Sequence, residues 1–298
     1  MNVAKEKRAI EYLKAFEPET EPYYLCYSGG KDSDVIRILA SLAGVKHDIV
    51  NNHTTVDAPE TVRYIRSIPN VQISYPKETM WQLIVKKQMP PTRLVRYCCA
   101  ELKERGGKGR VKITGVRHAE SANRKNNQGL ITVIGKPVTT EKAAIEMGTD
   151  YKVSPKGGIV LNTDNDESRR FVEHCYRTTS TMVNPIIDWE DDDVWEFLRH
   201  YGCQSNPLYQ CGFKRIGCIG CPLGGFASMK RAFALYPKYK ENYIRAFDRM
   251  LKRREELGKP PLDKIGNTGE EVFAWWIGDD PRQISLLDQE YDPDWHWV

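Results

Sequence analysis

The segment that most constrains the fold lies near the N-terminus, where Tyr23 to Ser33 has the sequence YYLCYSGGKDS. Its first five residues are aromatic or apolar, which is typical of a strand buried in a parallel sheet. Ser28-Gly29-Gly30 is too small and flexible to continue that strand, so the chain is expected to turn there. Apolar residues then recur at helical spacing, which predicts a helix that opens at Asp32.

A glycine-rich turn between a strand and a helix directs several backbone N–H groups at one point. The helix dipole favours an anion there, and Gly29 and Gly30 leave room for it to approach. Lys31, expected to face solvent, adds a positive charge, and Ser28 and Ser33 add hydroxyl donors. The segment therefore predicts a phosphate-binding site.

The spacing of this segment differs from the P-loop of kinases and GTPases. Residues 28–33, SGGKDS, instead resemble the SGGxDS pyrophosphate loop of the PP-loop ATP pyrophosphatases. That resemblance implies that the loop binds ATP with Mg²⁺, that ATP is split to AMP and pyrophosphate, and that an acceptor is adenylated. Lys31 and Asp32 become candidate catalytic residues, and all six loop residues become candidate nucleotide contacts. The alternative is an ordinary strand–helix turn that contains two glycines.

Strands and helices alternate along the first half of the chain, which predicts an α/β fold with a doubly wound parallel sheet. This is the fold that the PP-loop resemblance implies, the adenine nucleotide alpha-hydrolase-like fold. Polar, glycine-containing sequence over 125–181 predicts an insertion with one or two β-hairpins. We expect a PP-loop domain over 1–225 and a helical region over 226–298. The strands are predicted at 23–27, 47–52, 71–75, 110–116 and 184–189, and helices at 3–16, 97–103 and 226–257.

Ligands of such sheets bind beyond the carboxyl ends of the strands. That rule brings residues 28–33, 51–60 and 117–124 to one rim and makes Asn52 and Asp57 candidate nucleotide contacts. An acidic residue of the rim, Asp32, Asp57 or Glu60, is a candidate ligand of Mg²⁺. For Asp57 and Glu60 a capping box at the start of the following helix is an equally good interpretation.

The composition places few limits on partners. Hydrophobic residues make up 40% of the chain, charged residues 28%, and the net charge is only +4. These values are typical of a globular protein in water and neither demand nor exclude nucleic acid. The N-terminus lacks the apolar centre of a signal peptide, and no apolar run is long enough for a bilayer. We therefore expect a cytoplasmic protein, without membrane partners, in which cysteines stay reduced.

Four of the eight cysteines form two pairs, Cys98-Cys99 and the C-x-x-C motif Cys218 to Cys221. Together they supply four thiolates, which suits a [4Fe–4S] cluster or Zn²⁺. The cluster is favoured because adjacent cysteines rarely reach one zinc ion, whereas a cube offers separate irons. Cys203 and Cys211 are rival candidate ligands. Cys26 and Cys175 are interpreted as small buried apolar residues.

A second resemblance joins these features. Cys98-Cys99 with the distant C-x-x-C resembles the cluster ligands of assimilatory adenylylsulfate reductases. The segment from Gly115 to Arg124, GVRHAESANR, and the segment NPIIDW at 184–189 are similar to motifs of the phosphoadenylylsulfate (PAPS) reductase family. The resemblance implies that Gly115 contacts the nucleotide and that Arg117 and Arg124 clamp phosphate or sulfate oxygens. Salt bridging of the arginines to Glu120 is the alternative.

The chain departs from the true reductases, which carry a nucleophilic cysteine in a C-terminal tail. No cysteine follows Cys221, and the last residues include Trp295 and Trp297, which favour docking of the tail on a surface. The sequence more closely resembles the iron–sulfur ATPase subunit of DNA phosphorothioation systems. That resemblance implies an ATP pyrophosphatase that adenylates an acceptor for sulfur transfer, with a nucleic-acid acceptor and a sulfur donor such as a cysteine desulfurase. The alternatives are a PAPS or adenylylsulfate reductase and a non-catalytic nucleotide-binding module with structural zinc.

Overall fold

The structure is a computed structural model that describes residues 2–135 and 137–280, with backbone alone at Pro137 and Val138. These residues form two compact units. The first, called here the sheet unit, comprises residues up to 53, 58–75 and 104–217. The second, the helical unit, comprises 54–57, 76–103 and the residues from 218 onward. The units thus interleave along the chain, whereas the sequence analysis placed one boundary near residue 225.

The sheet unit is built on an eight-stranded sheet of order β3-β2-β1-β4-β8-β5-β7-β6. The first five strands in that order are parallel, and β5, β7 and β6 are antiparallel to their neighbours. The predicted α/β fold with a parallel sheet is confirmed. The strands are β1 (Tyr23–Cys26), β2 (His47–Asn52), β3 (Val71–Ser74), β4 (Lys112–Ile113), β5 (Ile131–Ile134), β6 (Lys152–Val153), β7 (Ile159–Leu161) and β8 (Ser180–Val183).

Helices cover the sheet, as burial of a parallel sheet on both faces requires. The helix after β1 buries Val35, Ile36 and Leu39 completely, and the N-terminal helix buries Leu13. The Tyr23 hydroxyl donates to the Leu13 carbonyl at 2.9 Å, which ties that helix to β1. The helices of the sheet unit are α1 (Val3–Ala15), α2 (Lys31–Ala43), α3 (Pro59–Ser67), α5 (Ala122–Asn127), α6 (Pro137–Glu146), α7 (Asp166–Cys175) and α8 (Asp191–His200).

The predicted insertion at 125–181 is part of this sheet. Its strands β5, β6 and β7 extend the parallel core on the far side of β8, and β6 and β7 form the predicted hairpin. Helix α6 lies between β5 and β6 in the chain, and α7 lies between β7 and β8. The sequence pattern was weak there because β6 has two residues and β7 three, too few to show an alternating period.

Two strand predictions were wrong in extent. The strand predicted at 110–116 is limited to Lys112–Ile113, and the strand predicted at 184–189 lies at 180–183 instead. Asn184 ends β8 because its buried side chain donates to the Gly129 carbonyl at 2.7 Å. The Ile187 N–H then donates to the Asn184 carbonyl at 3.2 Å, so the apolar residues that follow form turns rather than a ladder.

The helical unit contains α4 (Met80–Lys87), α9 (Gly225–Leu235), α10 (Pro237–Glu256) and α11 (Gly269–Ile277). Aromatic rings form its core: Trp276 packs against Tyr243 at a centroid distance of 4.7 Å and against Phe247 at 5.5 Å. The helix predicted over 226–257 is confirmed as two helices that meet at Pro237. A π-helical turn at Cys99–Lys103 matches the short helix predicted at 97–103.

The tail that carries Trp295 and Trp297 lies outside the described residues, so its docking stays a prediction. Among the helices of residues 2–135 and 137–280, none combines the length and the hydrophobicity needed to cross a bilayer.

Candidate functional site

The predicted phosphate loop lies between β1 and the first turn of α2, with Gly30 as the extended N-cap residue. The Ser33 hydroxyl donates to the Gly30 carbonyl at 2.7 Å and accepts the Gly30 N–H at 3.1 Å. The Ser28 hydroxyl donates to that of Ser33 at 3.4 Å. In this state the two serines, predicted as ligand donors, stabilise the loop itself.

The segment after α8 braces the loop. The buried Asn206 side chain donates to the Gly29 carbonyl at 3.0 Å, and the Tyr209 hydroxyl accepts the Lys31 N–H at 2.8 Å. Tyr209 therefore occupies one of the N–H groups that a helix N-terminus offers to an anion. Residues 206–209, NPLY, resemble a loop of the PAPS reductase family, but nothing local in the sequence connects Asn206 or Tyr209 with residues 28–33.

Gly29 is the position of the loop that has the strictest steric requirement. Its φ is +72°, and a Cβ there would lie 2.8 Å from Cγ1 of Ile65. A side chain at Gly29 thus meets both backbone strain and a buried side chain of α3.

We expect Gly29→Ala to lower the free energy of unfolding by about 2 kcal/mol or more, since left-handed strain and overpacking each cost about 1–2 kcal/mol. Gly44→Ala is the matched control: its φ is +70°, but no atom lies within 4 Å of the added Cβ. Urea unfolding of the two variants separates the clash from the strain. Equal losses of stability in both would show that the close approach to Ile65 costs nothing.

Four charged side chains converge at the start of α2. The Lys31 ammonium lies 3.3 Å from Asp32 Oδ1 and 2.9 Å from Asp191 Oδ1. The Arg117 guanidinium, 1% exposed, donates Nε to Asp32 at 2.7 Å and NH2 to Asp191 at 2.6 Å. Lys31 is 6% exposed, so the expectation that it faces solvent was wrong. These four residues are called here the charge cluster.

Asp191 is the member of the charge cluster that sequence reasoning missed as a site residue. The sequence predicts Asp191 as the cap of the helix that follows NPIIDW, but Glu190 is the N-cap of α8, and Asp193 accepts the Glu190 N–H at 2.8 Å. Hydrogen bonds from Lys31 and Arg117 lower the pKa of Asp191, so the carboxylate form is stabilised. The signal in the sequence that could have identified Asp191 as a site residue is its position two residues after the NPIIDW motif.

Arg117 is held in one orientation. Its NH1 group donates to the Trp189 carbonyl at 3.0 Å, in addition to the two carboxylates. Burial by itself would lower the pKa of Arg117, but Asp32 and Asp191 raise it above its ordinary value. A buried guanidinium that donates from all three nitrogens keeps this orientation without further ordering when an anion binds nearby.

Arg124 has a different environment from Arg117. It forms a 2.5 Å ion pair with Glu120, which is the alternative that the sequence analysis left open. Burial lowers the pKa of Arg124, and the nearby Arg215 and Arg117 add to that effect. Gly115, the other residue that the motif selected, would place a Cβ 3.0 Å from the backbone of Asp32, so its role in the structure is close packing against the loop.

The remaining predicted rim residues have structural partners. The Asn52 side chain donates to the Arg105 carbonyl at 2.7 Å and accepts from the Tyr24 hydroxyl at 3.3 Å. The predicted capping box at α3 was wrong, since its N-cap is Ala58 without a side-chain bond. Asp57 belongs to the helical unit and instead accepts the Thr54 N–H at 2.7 Å, while Glu60 pairs with Arg63 at 3.4 Å.

All four predicted metal ligands, Cys98, Cys99, Cys218 and Cys221, lie half-buried in the helical unit. The Cys221 N–H donates to the Cys218 carbonyl at 3.2 Å, which closes the C-x-x-C turn. Gly220 within it has a φ of +73°, and a Cβ there would lie 2.6 Å from the Phe233 ring. The rivals Cys203 and Cys211 lie in the sheet unit.

The four thiols influence one another electrostatically. A hydrogen bond from the Cys98 thiol and the charge of Arg96 lower the pKa of Cys99 to about 5, while the same bond and burial raise the pKa of Cys98. Cys218 and Cys221 contribute to the raised pKa of Cys98, and they also raise the pKa of Lys103.

This donor set fits a thiolate-bound centre in its chemistry, with four sulfurs and one neighbouring cation. Within residues 2–135 and 137–280, no three His, Cys, Asp or Glu side chains are arranged to hold one metal ion. Cys26 and Cys175 were interpreted as buried apolar residues. Burial raises the pKa of both thiols to about 11, as expected of inert thiols.

One known protein family matches more than half of this chain. Residues 22–223, which include the loop, the charge cluster and all four cysteines, match the phosphoadenosine phosphosulfate reductase domain. The chain belongs to this family. The matched residues thus include every member of the charge cluster and all four predicted metal ligands.

Individual relatives of this PAPS reductase family member are distant. An uncharacterised protein of Methanocaldococcus jannaschii is 23% identical over 273 residues, covering 85% of this chain and 55% of that protein. The chain spans about half the length of the curated relatives it matches first. A PAPS reductase structure from Candida auris, in complex with phosphate, is 17% identical and covers 72% of this chain and 93% of that one, with a TM-score of 0.40.

Proposed function

We propose that this protein binds ATP with Mg²⁺ at the charge cluster, releases pyrophosphate and adenylates an acceptor for sulfur transfer. The acceptor is a nucleic acid, and the sulfur comes from a donor protein such as a cysteine desulfurase. Lys31, Asp32 and Arg117, together with Asp191, contact the phosphates and the metal, and Arg124 supports them once its pair with Glu120 opens.

The observation that carries this proposal is the presence of two carboxylates in the charge cluster. Asp32 and Asp191 balance Lys31 and Arg117 charge for charge. A site built only for an anionic sulfonucleotide gains nothing from two carboxylates, which would repel the ligand. A triphosphate that arrives with Mg²⁺ brings its own cation, for which carboxylate oxygens are preferred ligands.

The reaction is an in-line displacement. An oxygen of the acceptor forms a bond to the α-phosphorus of ATP, and the bond from that phosphorus to the bridging oxygen of the β-phosphate breaks, so pyrophosphate leaves with the electron pair. Lys31, Arg117 and the loop N–H groups neutralise the charge that develops on the leaving group. A sulfur nucleophile then displaces AMP from the adenylated acceptor.

The cysteines of the helical unit would hold a [4Fe–4S] cluster through Cys98, Cys99, Cys218 and Cys221. Such a cluster supplies electron-transfer or sulfur chemistry when bound. Lys103 would offset part of its negative charge, because the same thiols already raise the pKa of that lysine. The adenylation step itself uses the Mg²⁺ at the charge cluster and not the iron–sulfur cluster.

Calorimetric titration with ATP, adenylylsulfate and PAPS, each with and without Mg²⁺, tests the proposal. We expect ATP to bind most tightly and only ATP to gain affinity from Mg²⁺. Asp191→Asn should remove most of that gain, because the carboxylate is lost while the size of the side chain is kept. Asp192→Asn, on the next residue of α8, is the control. Tight binding of PAPS without detectable binding of ATP would contradict the proposal.

That opposite result would favour the second candidate function, a PAPS or adenylylsulfate reductase. The matched family domain is named for this reaction, which is the observation in its favour. Release of sulfite from either sulfonucleotide in the presence of a dithiol carrier would establish it. Stoichiometric zinc, without iron and without turnover of any nucleotide, would instead indicate the non-catalytic module.

A further inference from the structure

A cavity of about 500 Å³ opens in the helical unit between α4 and α10. It is called here the Trp81 pocket, after the largest side chain that lines it. The volume lies within the range of about 300–1,000 Å³ that is usual for small-ligand sites. Nothing in the charge cluster or the cysteine site uses this pocket, because none of its lining residues belongs to either.

The lining of the pocket combines an aromatic ring with positive charge. Trp81 is half-buried, and its ring packs edge-on against Tyr243 at 4.8 Å, so its position is fixed. Lys86, Arg249 and Arg253 also line the cavity, and Lys86 pairs at 2.7 Å with the single lining carboxylate, Glu78. An aromatic surface beside several cations is the combination that binds a base by stacking and its phosphate by charge.

Two amides add hydrogen-bonding capacity, since Gln82 and Gln88 line the same cavity. The Oε1 atom of Gln88 is buried and has no hydrogen-bond partner within the described residues, and neither has the buried Nε of Arg254. The Arg254 NH1 group donates to the Gln88 carbonyl at 3.3 Å, so these two residues are neighbours. The two amide side chains that line the cavity suit a ligand with polar edges, such as a nucleobase.

The cations continue beyond the pocket along α10. Arg245, Arg249 and Arg253 are spaced four residues apart, so they lie on one face and span about 12 Å of helix. Within the described residues Arg249 has no ion-pair partner, and its Nε donates only to the Arg245 carbonyl at 3.3 Å. Arg253 pairs with Glu256 at 3.0 Å and is half exposed. A row of this length is longer than one phosphate group and suits a short stretch of polynucleotide backbone.

We infer that the Trp81 pocket binds one nucleotide of a single-stranded nucleic acid, with the flanking phosphates on the Arg245–Arg249–Arg253 row. The inference rests on the proposed function in one respect, because an adenylating enzyme must hold its acceptor. It adds to that function that the acceptor is single-stranded, and it adds the place where the acceptor binds. Stacking on Trp81 tolerates any base, so we expect affinity without strong sequence preference.

The test uses the full chain and a fluorescein-labelled single-stranded 12-mer, as DNA and as RNA, with binding followed by anisotropy from low to moderate salt. Arg249→Gln/Arg253→Gln should weaken binding roughly tenfold or more and reduce the slope of log K against log salt by about 1.4, or about 0.7 per lost phosphate contact. Lys259→Gln/Arg63→Gln removes two exposed charges elsewhere and should change affinity less than twofold. Equal losses in both double variants would overturn the inference.

Trp81 provides an independent readout. Binding of an unlabelled 12-mer should quench tryptophan fluorescence, and Trp81→Phe should remove that part of the quenching while a ring remains for stacking. Trp81→Ala should weaken binding roughly tenfold, with circular dichroism confirming its fold. Quenching that is unchanged in Trp81→Phe would place the strand elsewhere and overturn the inference.

Competition identifies the ligand class. If AMP displaces the 12-mer as well as an unlabelled strand does, the pocket is a free-nucleotide site and the inference is overturned. Displacement by oligoglutamate to the same extent would also overturn it, because any polyanion would then bind. ATP–Mg²⁺ titration of Arg249→Gln/Arg253→Gln separates this inference from the proposed function. Retained ATP binding with lost strand binding supports both, whereas a chain that binds the strand but no ATP supports the pocket alone.

Discussion

Lys31→Met is expected to reduce pyrophosphate release from ATP roughly a hundredfold or more, the loss typical of removing one preorganised group that stabilises transition-state charge. The ammonium group lies 2.9 Å from Asp191 and 3.3 Å from Asp32 at the N-terminus of α2. Its removal leaves two carboxylates with Arg117 as their partner, so the site becomes net negative where the leaving group must gain charge. Methionine keeps the buried stem, which avoids a cavity.

Lys7→Met is the matched control, because its side chain is 78% exposed and its partner Glu11 is 3.9 Å away. Both variants are compared with the parent in a pyrophosphate-release assay at saturating ATP, and circular dichroism verifies that each has folded. We expect turnover by Lys7→Met to be parental. Pyrophosphate release by Lys31→Met at the parental rate would contradict the assignment of the charge cluster as the site of ATP cleavage.

Substitution of any one of Cys98, Cys99, Cys218 or Cys221 by serine is expected to abolish most iron binding and the associated visible absorption. The parent, purified without oxygen, should contain about four irons and four acid-labile sulfides per chain, as a [4Fe–4S] centre requires. The serine variants should also unfold at lower denaturant, because metal binding and folding are coupled.

Cys203→Ser and Cys211→Ser are the controls, because both residues lie in the sheet unit, whereas the four proposed ligands share the helical unit. The two controls should retain the iron content of the parent. Loss of iron in either control with retention in Cys98→Ser would contradict the ligand set. One zinc per chain without sulfide would contradict the cluster itself.

Features that are local in the chain were predictable from the sequence. β1, the glycine turn and α2 are contiguous, so their apolar periodicities and the turn between them define the loop without any tertiary information. The same is true of the C-x-x-C turn and of the helices over 226–257. The capping box at α3 failed although it was local, because the Asp57 carboxylate accepts the Thr54 N–H instead.

The composition of the charge cluster could not be predicted in the same way. Asp191 lies 160 residues from Lys31, and Arg117 lies 85 residues from Asp32. The family resemblance selected Arg117 but gave no reason to bring Asp191 to the same point. Its carboxylate appeared suited to a helix N-terminus, which is a local role that many acidic residues satisfy equally well.

The α/β class, the glycine turn between β1 and α2 and the two cysteine pairs could thus be read from the sequence, because each follows from neighbours in the chain. The three-dimensional structure was needed to see that Lys31 is buried, that two carboxylates balance two cations at the loop, and that both cysteine pairs belong to the helical unit. Those features depend on strand order and on contacts between residues far apart in the chain, and a one-dimensional pattern contains no distance between them.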